Sequence, residues 1–417
     1  MPAKTTLEKA WKKVNSKSGR QIFSLLGSNV LVIVLGVVVS IINTRLLGPE
    51  AYGDYKFIQS LWGFILILLT GGAFNTAGRL VALNEYQGRK KELLGGIFTV
   101  SGATCFLFMI VVLVASYIQE NIYDNGLGET IRLLLPVVFF FPFKEILERI
   151  LEGDNRIYDL SAYRLSQKIL YIIPTFLIGY FSTLTLELSL LIHLLAIAIF
   201  LPYVYISMKP KFKNLKKSFM VIKEENAKHG FPIYIGSLAS NGSQHLSAFT
   251  ISYFLDNVSV GYFALSNTIA TPLMMIPQTI GTTSFKKFAN SKSIPVKTVL
   301  ATIAVSIIAL VAFNIIVKYV ILFVYSDEYL PVLPYVRLVS LSYVIQGFCF
   351  FINRFLSSHG RGKELRNASF VRGGINILGF IVLVKYFGID GACITLIISN
   401  AVYLTTLYFQ YKRYIRS

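Results

Sequence analysis

The sequence predicts an all-α polytopic membrane protein, with about 12 transmembrane helices in two like-oriented six-helix lobes. Three observations lead there. Of the 417 residues 54% are apolar and only 15% charged, and the mean hydropathy is +0.61; too little polar surface remains to clothe a water-soluble protein of this size. The apolar residues are gathered into runs of about 20 residues or more, enough to cross roughly 30 Å of hydrocarbon at 1.5 Å per residue. The second half of the chain also weakly repeats the first. The composition and the runs together exclude most cytosolic enzymes.

Residues 1–20 read as a basic amphipathic helix on the inner membrane surface: Leu7, Trp11 and Val14 form one stripe, and Lys9, Lys12, Lys13 and Lys17 flank it. The first apolar run is too long for the core of a cleavable signal, and no small-residue cleavage site follows it, so it is expected to stay as a span. The N-lobe, 21–208, then holds spans at 22–43, 57–80, 94–119, 131–151, 166–183 and 188–207. A Lys-rich cytoplasmic linker, 209–229, joins it to the C-lobe, 230–417. The C-lobe spans lie at 231–254, 260–285, 298–325, 332–354, 367–386 and 391–411. Pro174, Pro272 and Pro277 fall inside spans, where a missing N–H is expected to kink the helix.

The net charge is +19. With both termini cytoplasmic, only Arg45, Lys56, Arg132, Lys318, Arg337 and Lys385 fall on the outer side, while the acids divide almost evenly between the faces. Such a bias orients a polytopic protein. The basic excess therefore reads as topology and attraction to anionic lipid headgroups, not as nucleic-acid binding. Cys105, Cys349 and Cys393 are scattered through apolar segments without paired spacing, which reads as packing, and no metal site is expected. Gly362-Lys363 runs on into Glu364 and lacks the upstream glycine of a phosphate loop, so no ATPase is built in. The outer turns are short, the longest about ten residues, and leave no room for an extramembrane catalytic domain.

Shifting the chain by half its length lays Leu47 on Leu255, Gly53 on Gly261 and Tyr55 on Phe263, and a similar shift lays Tyr180-Phe181 on Tyr386-Phe387. Because the shift covers six spans, an even number, both halves keep the same orientation, related by an axis along the membrane normal with a cavity between them.

Thr44-Arg45-Leu46-Leu47-Gly48-Pro49-Glu50-Ala51-Tyr52-Gly53-Asp54-Tyr55 resembles the signature of the oligosaccharide flippases, which move undecaprenyl-linked O-antigen, capsule or exopolysaccharide units. Val260-Gly261-Tyr262-Phe263-Ala264 and Phe387-Gly388-Ile389-Asp390-Gly391-Ala392 are similar to its later counterparts. The resemblance extends over the whole chain. It implies the fold of the multidrug/oligosaccharidyl-lipid/polysaccharide exporter superfamily, a location in the bacterial or archaeal plasma membrane, and flipping of a polyprenyl-pyrophosphate-linked oligosaccharide from the inner to the outer leaflet. The signature also has a structural reading. Gly48-Pro49 ends a helix, Gly53 lets the chain reverse, and Tyr52 and Tyr55 suit the membrane interface. Arg45 is open between headgroup and ligand.

A flippase needs cations and amides at membrane depth for the pyrophosphate and the glycan. Ser237, Asn241, Gln244 and His245 share one face of the seventh span, the densest polar stripe in the apolar runs. Ser28 and Asn29 occupy comparable depth in the first. Asn75 and Arg79 lie four apart in the second span, and Arg372 and Asn376 do so in the eleventh, with Arg372 about 9 Å inward of Arg366. Lys286 and Lys287 end the eighth. The candidate substrate-binding residues are therefore Arg79, Asn75, Asn241, Gln244, His245, Arg372, Asn376 and Lys287. Against this stand helix–helix hydrogen bonding for the amides and boundary anchoring for Arg79 and the lysines.

No catalytic residue or cofactor is expected; an ion gradient is left as the driving force. Glu145 and Glu148, in the fourth span, are the candidate ion-coupling sites, with His245 as their rival, although Glu145 and Arg149 at a spacing of four also read as a self-pairing that lowers insertion cost. Expected partners are the lipid-linked oligosaccharide and membrane lipids, with a polysaccharide polymerase left open. The alternative is an ion-coupled drug/cation antiporter of the same superfamily, which would want a central Asp or Glu in the first or seventh span; neither has one. A membrane acyl- or glycosyltransferase would want a clustered acidic or His/Asp site on the outer side, and the turns show none.

Overall fold

The computed structural model describes residues 17–123, 125–284, 288 and 290–416. The amphipathic segment expected at 1–20 lies largely outside them, as do Lys286 and Lys287. The described residues form helices and no strand.

The first helix, α1 (Lys17–Leu69), holds the first span and most of the second, turning at Gly48. There φ is 72° and ψ 176°, a conformation that glycine adopts freely and that lets Pro49 restart the helix without needing its missing N–H. A second break, at Gly71-Gly72 with φ of 51° and 87°, separates α1 from α2 (Ala73–Ala82). The second span is therefore a broken helix. After α3 (Lys90–Tyr123) the fourth span comes as three pieces, α4 (Leu127–Leu133), α5 (Leu135–Val138) and α6 (Phe141–Gly153), with Pro136 and Pro142 starting the latter two. Next come α7 (Ile157–Phe181), α8 (Leu186–Ala198), α9 (Leu201–Met208) and the linker helix α10 (Leu215–Glu225). The seventh span consists of α11 (Phe231–Ser237) and α12 (Ser243–Phe254), joined by a π-helical turn, Leu238–Gly242. The chain ends with α13 (Asn257–Thr283), α14 (Val296–Val320), α15 (Leu333–Ser358) and α16 (Gly362–Arg416). Gly388 divides α16 as Gly48 divides α1, with φ 58° and ψ −136°.

Among the described residues six helices are long and apolar enough to cross a membrane unaided. Of the remaining expected spans the fourth and seventh are interrupted and the fifth carries charge, while the eighth, α13, is unbroken and uncharged but diluted by Ser, Thr, Asn and Gln. Pro174, Pro272 and Pro277 sit inside helices that run on without a break; the interruptions fall at positive-φ glycines, at prolines that begin helices and, in the seventh span, at the π-helical turn.

Contacts divide the chain into two compact units. Unit 1 comprises the chain to Ile42, Leu69–Ser116 and Glu129–Ile233; unit 2 comprises Asn43–Leu68, Tyr117–Gly128 and Tyr234–Ser417. In unit 1, α2 packs on α6 through glycine: a Cβ on Gly78 would stand 2.8 Å from the Arg149 carbonyl oxygen. The broken end of α2 is clasped by the π-helical turn Asn226–Gly230, just ahead of the seventh span. Asn226 donates from Nδ2 to the Gly71 carbonyl over 3.1 Å and accepts from the Thr76 hydroxyl over 2.8 Å. A Cβ on Gly72 would come within 2.5 Å of the Gly230 backbone.

Unit 2 takes in the corner of α1. The two glycines that the internal repeat aligns touch each other: a Cβ on Gly261 would lie 3.0 Å from the Gly53 Cα. Asp256 caps α13 through the Ser259 N–H at 2.7 Å, and the Asn257 amide donates to Asp54 at 2.6 Å. The signature is thus a helix-crossing device, since side chains at these glycines would force the two backbones apart. Tyr52 and Tyr55 are buried, not placed at a lipid interface; Tyr52 meets the Tyr329 ring edge-on at 6.3 Å. Arg45 donates to the Val324 and Phe323 carbonyls at 2.8 and 2.7 Å, satisfying the orphan acceptors of a helical end.

Candidate functional site: a polar cavity in unit 2

Unit 2 encloses a cavity of about 440 Å³ walled by five helices. From α1 comes Ser60; from α12 Gln244, His245 and Ser247; from α13 Asn267 and Thr271; from α15 Tyr343 and Gln346; from α16 Arg372, Phe380 and Leu396. Asn241, in the π-helical turn, completes the stripe read from the sequence. That turn inserts an extra residue into the backbone ladder, a device that recurs at functional sites. Asn241 is exposed and donates to the Ser237 hydroxyl over 3.1 Å, while Gln244 and His245 are half-buried. Gly63 leaves room for the His245 ring, whose Cε1 would stand 2.6 Å from a Cβ at that position. Across the cavity the Asn267 amide is anchored to the Phe263 carbonyl at 2.9 Å, and the Thr271 hydroxyl to the Asn267 carbonyl at 2.7 Å.

Arg372 dominates the electrostatics. It is 7% exposed, its Nε has no hydrogen-bond partner, and it forms no ion pair among the described residues. Its guanidinium lies 5.4 Å from the centroid of Tyr403, with Tyr343 and Cys349 nearby. An aromatic face attracts a cation but does not cancel its charge. One turn on, buried Asn376 donates to the Ser243 hydroxyl at 3.1 Å, and its Oδ1 is unpartnered. Among the described residues the cavity wall contains neither Asp nor Glu.

The structure thus brings Asn241, Gln244, His245 and Arg372 to one cavity, with Asn376 behind the wall. It does not gather the other candidates there. Arg79 lies in unit 1, paired with Glu225, its Nη2 3.4 Å from His229 Nε2. Asn75 is half-buried on the same helix. Glu145 lies 3.0 Å from Arg149, and Glu148 2.7 Å from Arg164. Lys287 lies outside the described residues. Unremarked in the sequence were Asn267 with Thr271, four apart, and Tyr343 with Gln346, three apart. Spacing on one helix face was the available signal, diluted by the many Ser and Thr elsewhere that bond only their own helix, such as Thr302 and Thr405. Among the described residues no group of His, Cys, Asp and Glu is arranged to hold a metal ion.

A bundle of interrupted helices around a polar, cation-bearing cavity defines a multi-pass integral membrane protein of transporter architecture. The chain belongs to the polysaccharide biosynthesis protein family, whose model matches residues 18–286. Its fold, of about 12 membrane helices in two lobes, is shared by the lipid II flippase MurJ in an inward closed conformation; the TM-score is 0.77 at 16% identity, covering 93% of this chain and 87% of that one. An inward-facing multidrug resistance MATE family transporter of the MOP superfamily matches with TM-score 0.70 and 16% identity over 92% and 94% of the two chains. A MOP superfamily transporter from Pyrococcus furiosus, described as having a binding pocket of reverse polarity, matches with TM-score 0.58 and 12% identity over 95% and 94%. These relatives in fold are a flippase and transporters, not enzymes. No curated protein matches the chain in sequence.

Proposed function

We propose that this protein is a flippase that carries a polyprenyl-pyrophosphate-linked oligosaccharide from the inner to the outer leaflet for cell-surface polysaccharide assembly, by alternating access. One observation carries the reading: a buried arginine without a carboxylate partner among the described residues faces a cavity whose wall sets amides and hydroxyls among apolar side chains. An isolated buried cation costs several kcal/mol to desolvate, and an anionic ligand offsets that cost on arrival. Diphosphate supplies the anion, while Asn241, Gln244, Asn267 and Gln346 offer the paired donors and acceptors that sugar hydroxyls require. The polyprenyl tail stays in lipid. Arg79, Asn75, Asn376 and Lys287 remain proposed substrate-binding residues on the sequence reading alone.

His245, inside the cavity, stands best for ion coupling, since Glu145 and Glu148 are each engaged with an arginine. The absence of a cavity carboxylate weighs against the drug/cation antiporter, which would need an anion for its cationic cargo. The lysine and arginine bias supports a cytoplasmic position for both termini. The decisive experiment deletes the gene in its host. Accumulation of lipid-linked oligosaccharide on the inner leaflet, with loss of surface glycan, is expected. Drug sensitivity with intact surface glycan would establish the antiporter instead.

A further inference from the structure

At the far end of unit 2 a second, separate pocket of about 310 Å³ is lined by Arg361, Glu364, Gln410, Arg413 and Tyr414. Its volume falls in the range of small-ligand sites. The turn between α15 and α16, reversed at Gly360 with φ 70°, forms one wall, and the last turns of α16 form the other. Arg361 is held in place: its guanidinium stacks 4.9 Å from the Tyr414 ring centroid, and Nη1 donates to Glu364 at 3.3 Å. Tyr414 is fixed in turn, because the His359 ring lies 4.8 Å from it and 4.4 Å from Phe355. Beneath lies a buried cluster of Phe288, Phe355, Leu356, Tyr403 and Leu407. Arg413 is exposed and has no ion pair or hydrogen bond among the described residues.

The position suits a lipid. Arg413 follows Gly388 by about 37 Å of helix at 1.5 Å per residue, beyond the roughly 30 Å of hydrocarbon and so at the headgroup level. Next to the pocket Tyr408, Phe409 and Ile415 are 45%, 66% and 38% exposed, an apolar surface against which acyl chains can lie. Lys363, Arg366, Lys412 and Arg416 add positive charge nearby, and Glu364 is the one acid in the wall.

We infer that this pocket binds the phosphodiester of an anionic phospholipid headgroup, gripped between Arg361 and Arg413 with Gln410 and Tyr414 as further donors. A planar guanidinium already stacked on a ring loses little freedom on engaging a phosphate, which favours a specific site over diffuse attraction. The inference does not depend on what the protein transports.

The test uses the purified, delipidated full chain in detergent, titrated with phosphatidylglycerol, phosphatidylcholine or inorganic phosphate and read by native mass spectrometry. One retained phosphatidylglycerol is expected, with no comparable retention of phosphatidylcholine. R361Q/R413Q should weaken retention about tenfold, while K292Q/K297Q, which removes the same charge elsewhere on unit 2, leaves it unchanged. R413Q alone serves if the double variant fails to melt cooperatively, because Arg413 supports no packing. Equal loss in the lysine control, or no loss in R413Q and the double variant, overturns the site. Displacement by millimolar inorganic phosphate overturns the lipid as the source of the anion.

Discussion

In unit 1 the guanidinium of Arg164 lies 2.7 Å from Glu148 and that of Arg149 3.0 Å from Glu145, while Arg79 meets Glu225, Lys90 meets Asp154, and Arg156 meets Asp159. In unit 2 Arg372 is more deeply buried than any of these and has no carboxylate partner among the described residues. A pair neutralises its own charge where it stands: Arg79, Lys90 and Arg164 tie separate segments of unit 1 together, and Arg149 and Arg156 pair within their own helical turns. An unpaired buried cation keeps an uncompensated field directed at its cavity, available to a ligand. Arg164 and Arg372 are the same residue type and both are withdrawn from solvent, Arg372 further; the carboxylate partner is what separates a brace from a cation left to its cavity.

The largest effect should come from Arg372. Arg372→Gln is expected to cut transport of lipid-linked oligosaccharide by about 10- to 100-fold, the loss of a charge-assisted contact of roughly 1.5–3 kcal/mol. Its melting temperature in detergent should hold or rise, because no ion pair is lost. A large drop in melting would show that Arg372 is structural and would erase the contrast. Next comes Glu148→Gln, which leaves the partly buried Arg164 without its carboxylate. A destabilisation of about 1–2 kcal/mol is expected in thermal melts, with transport per folded molecule changed less than threefold. Transport falling as far as in the Arg372 variant would return Glu148 to ion coupling.

Arg79→Gln sharpens the same line more gently. Its side chain is 45% exposed, so the pair with Glu225 is screened and should contribute under about 1 kcal/mol. Glu225→Gln should match it in a transport assay, and a double variant should be no worse than either single one. If Arg79→Gln alone abolished transport while Glu225→Gln did not, Arg79 would belong with Arg372. The smallest effect belongs to Lys228→Gln. Lys228 holds the Glu224 carboxyl below its ordinary value, and Glu224 raises the lysine in return. Glu224's contribution is present above its unfolded value and lost only as pH falls through the depressed one. Both groups are fully exposed, so melting and transport at neutral pH should not change measurably.

Much of this molecule was legible without coordinates. The apolar runs and the lysine and arginine distribution are linear properties, imposed by a solvent that demands about 20 apolar residues per crossing. The stripe of Asn241, Gln244 and His245 was equally readable, because helical periodicity puts it on one face whatever packs against it. Gly48-Pro49 announced the corner of α1, whereas Gly53, read as a reversal, is helical and serves as a close-packing point, and the corner at Gly388 was not read.

What the sequence could not state is which polar side chain meets which. Arg79 and Arg372 look alike in the chain, each four residues from an asparagine near a span boundary. One finds Glu225, 146 positions further along, and the other, among the described residues, meets the Tyr403 ring and the cavity but no carboxylate. Likewise Tyr52 and Tyr55, with interfacial chemistry, are buried because Gly53 and Gly261 let two backbones close over them. Charge compensation and burial are properties of pairs distant in sequence, so they come into being only when helices pack. Tertiary structure alone decided which cation was left to face the cavity.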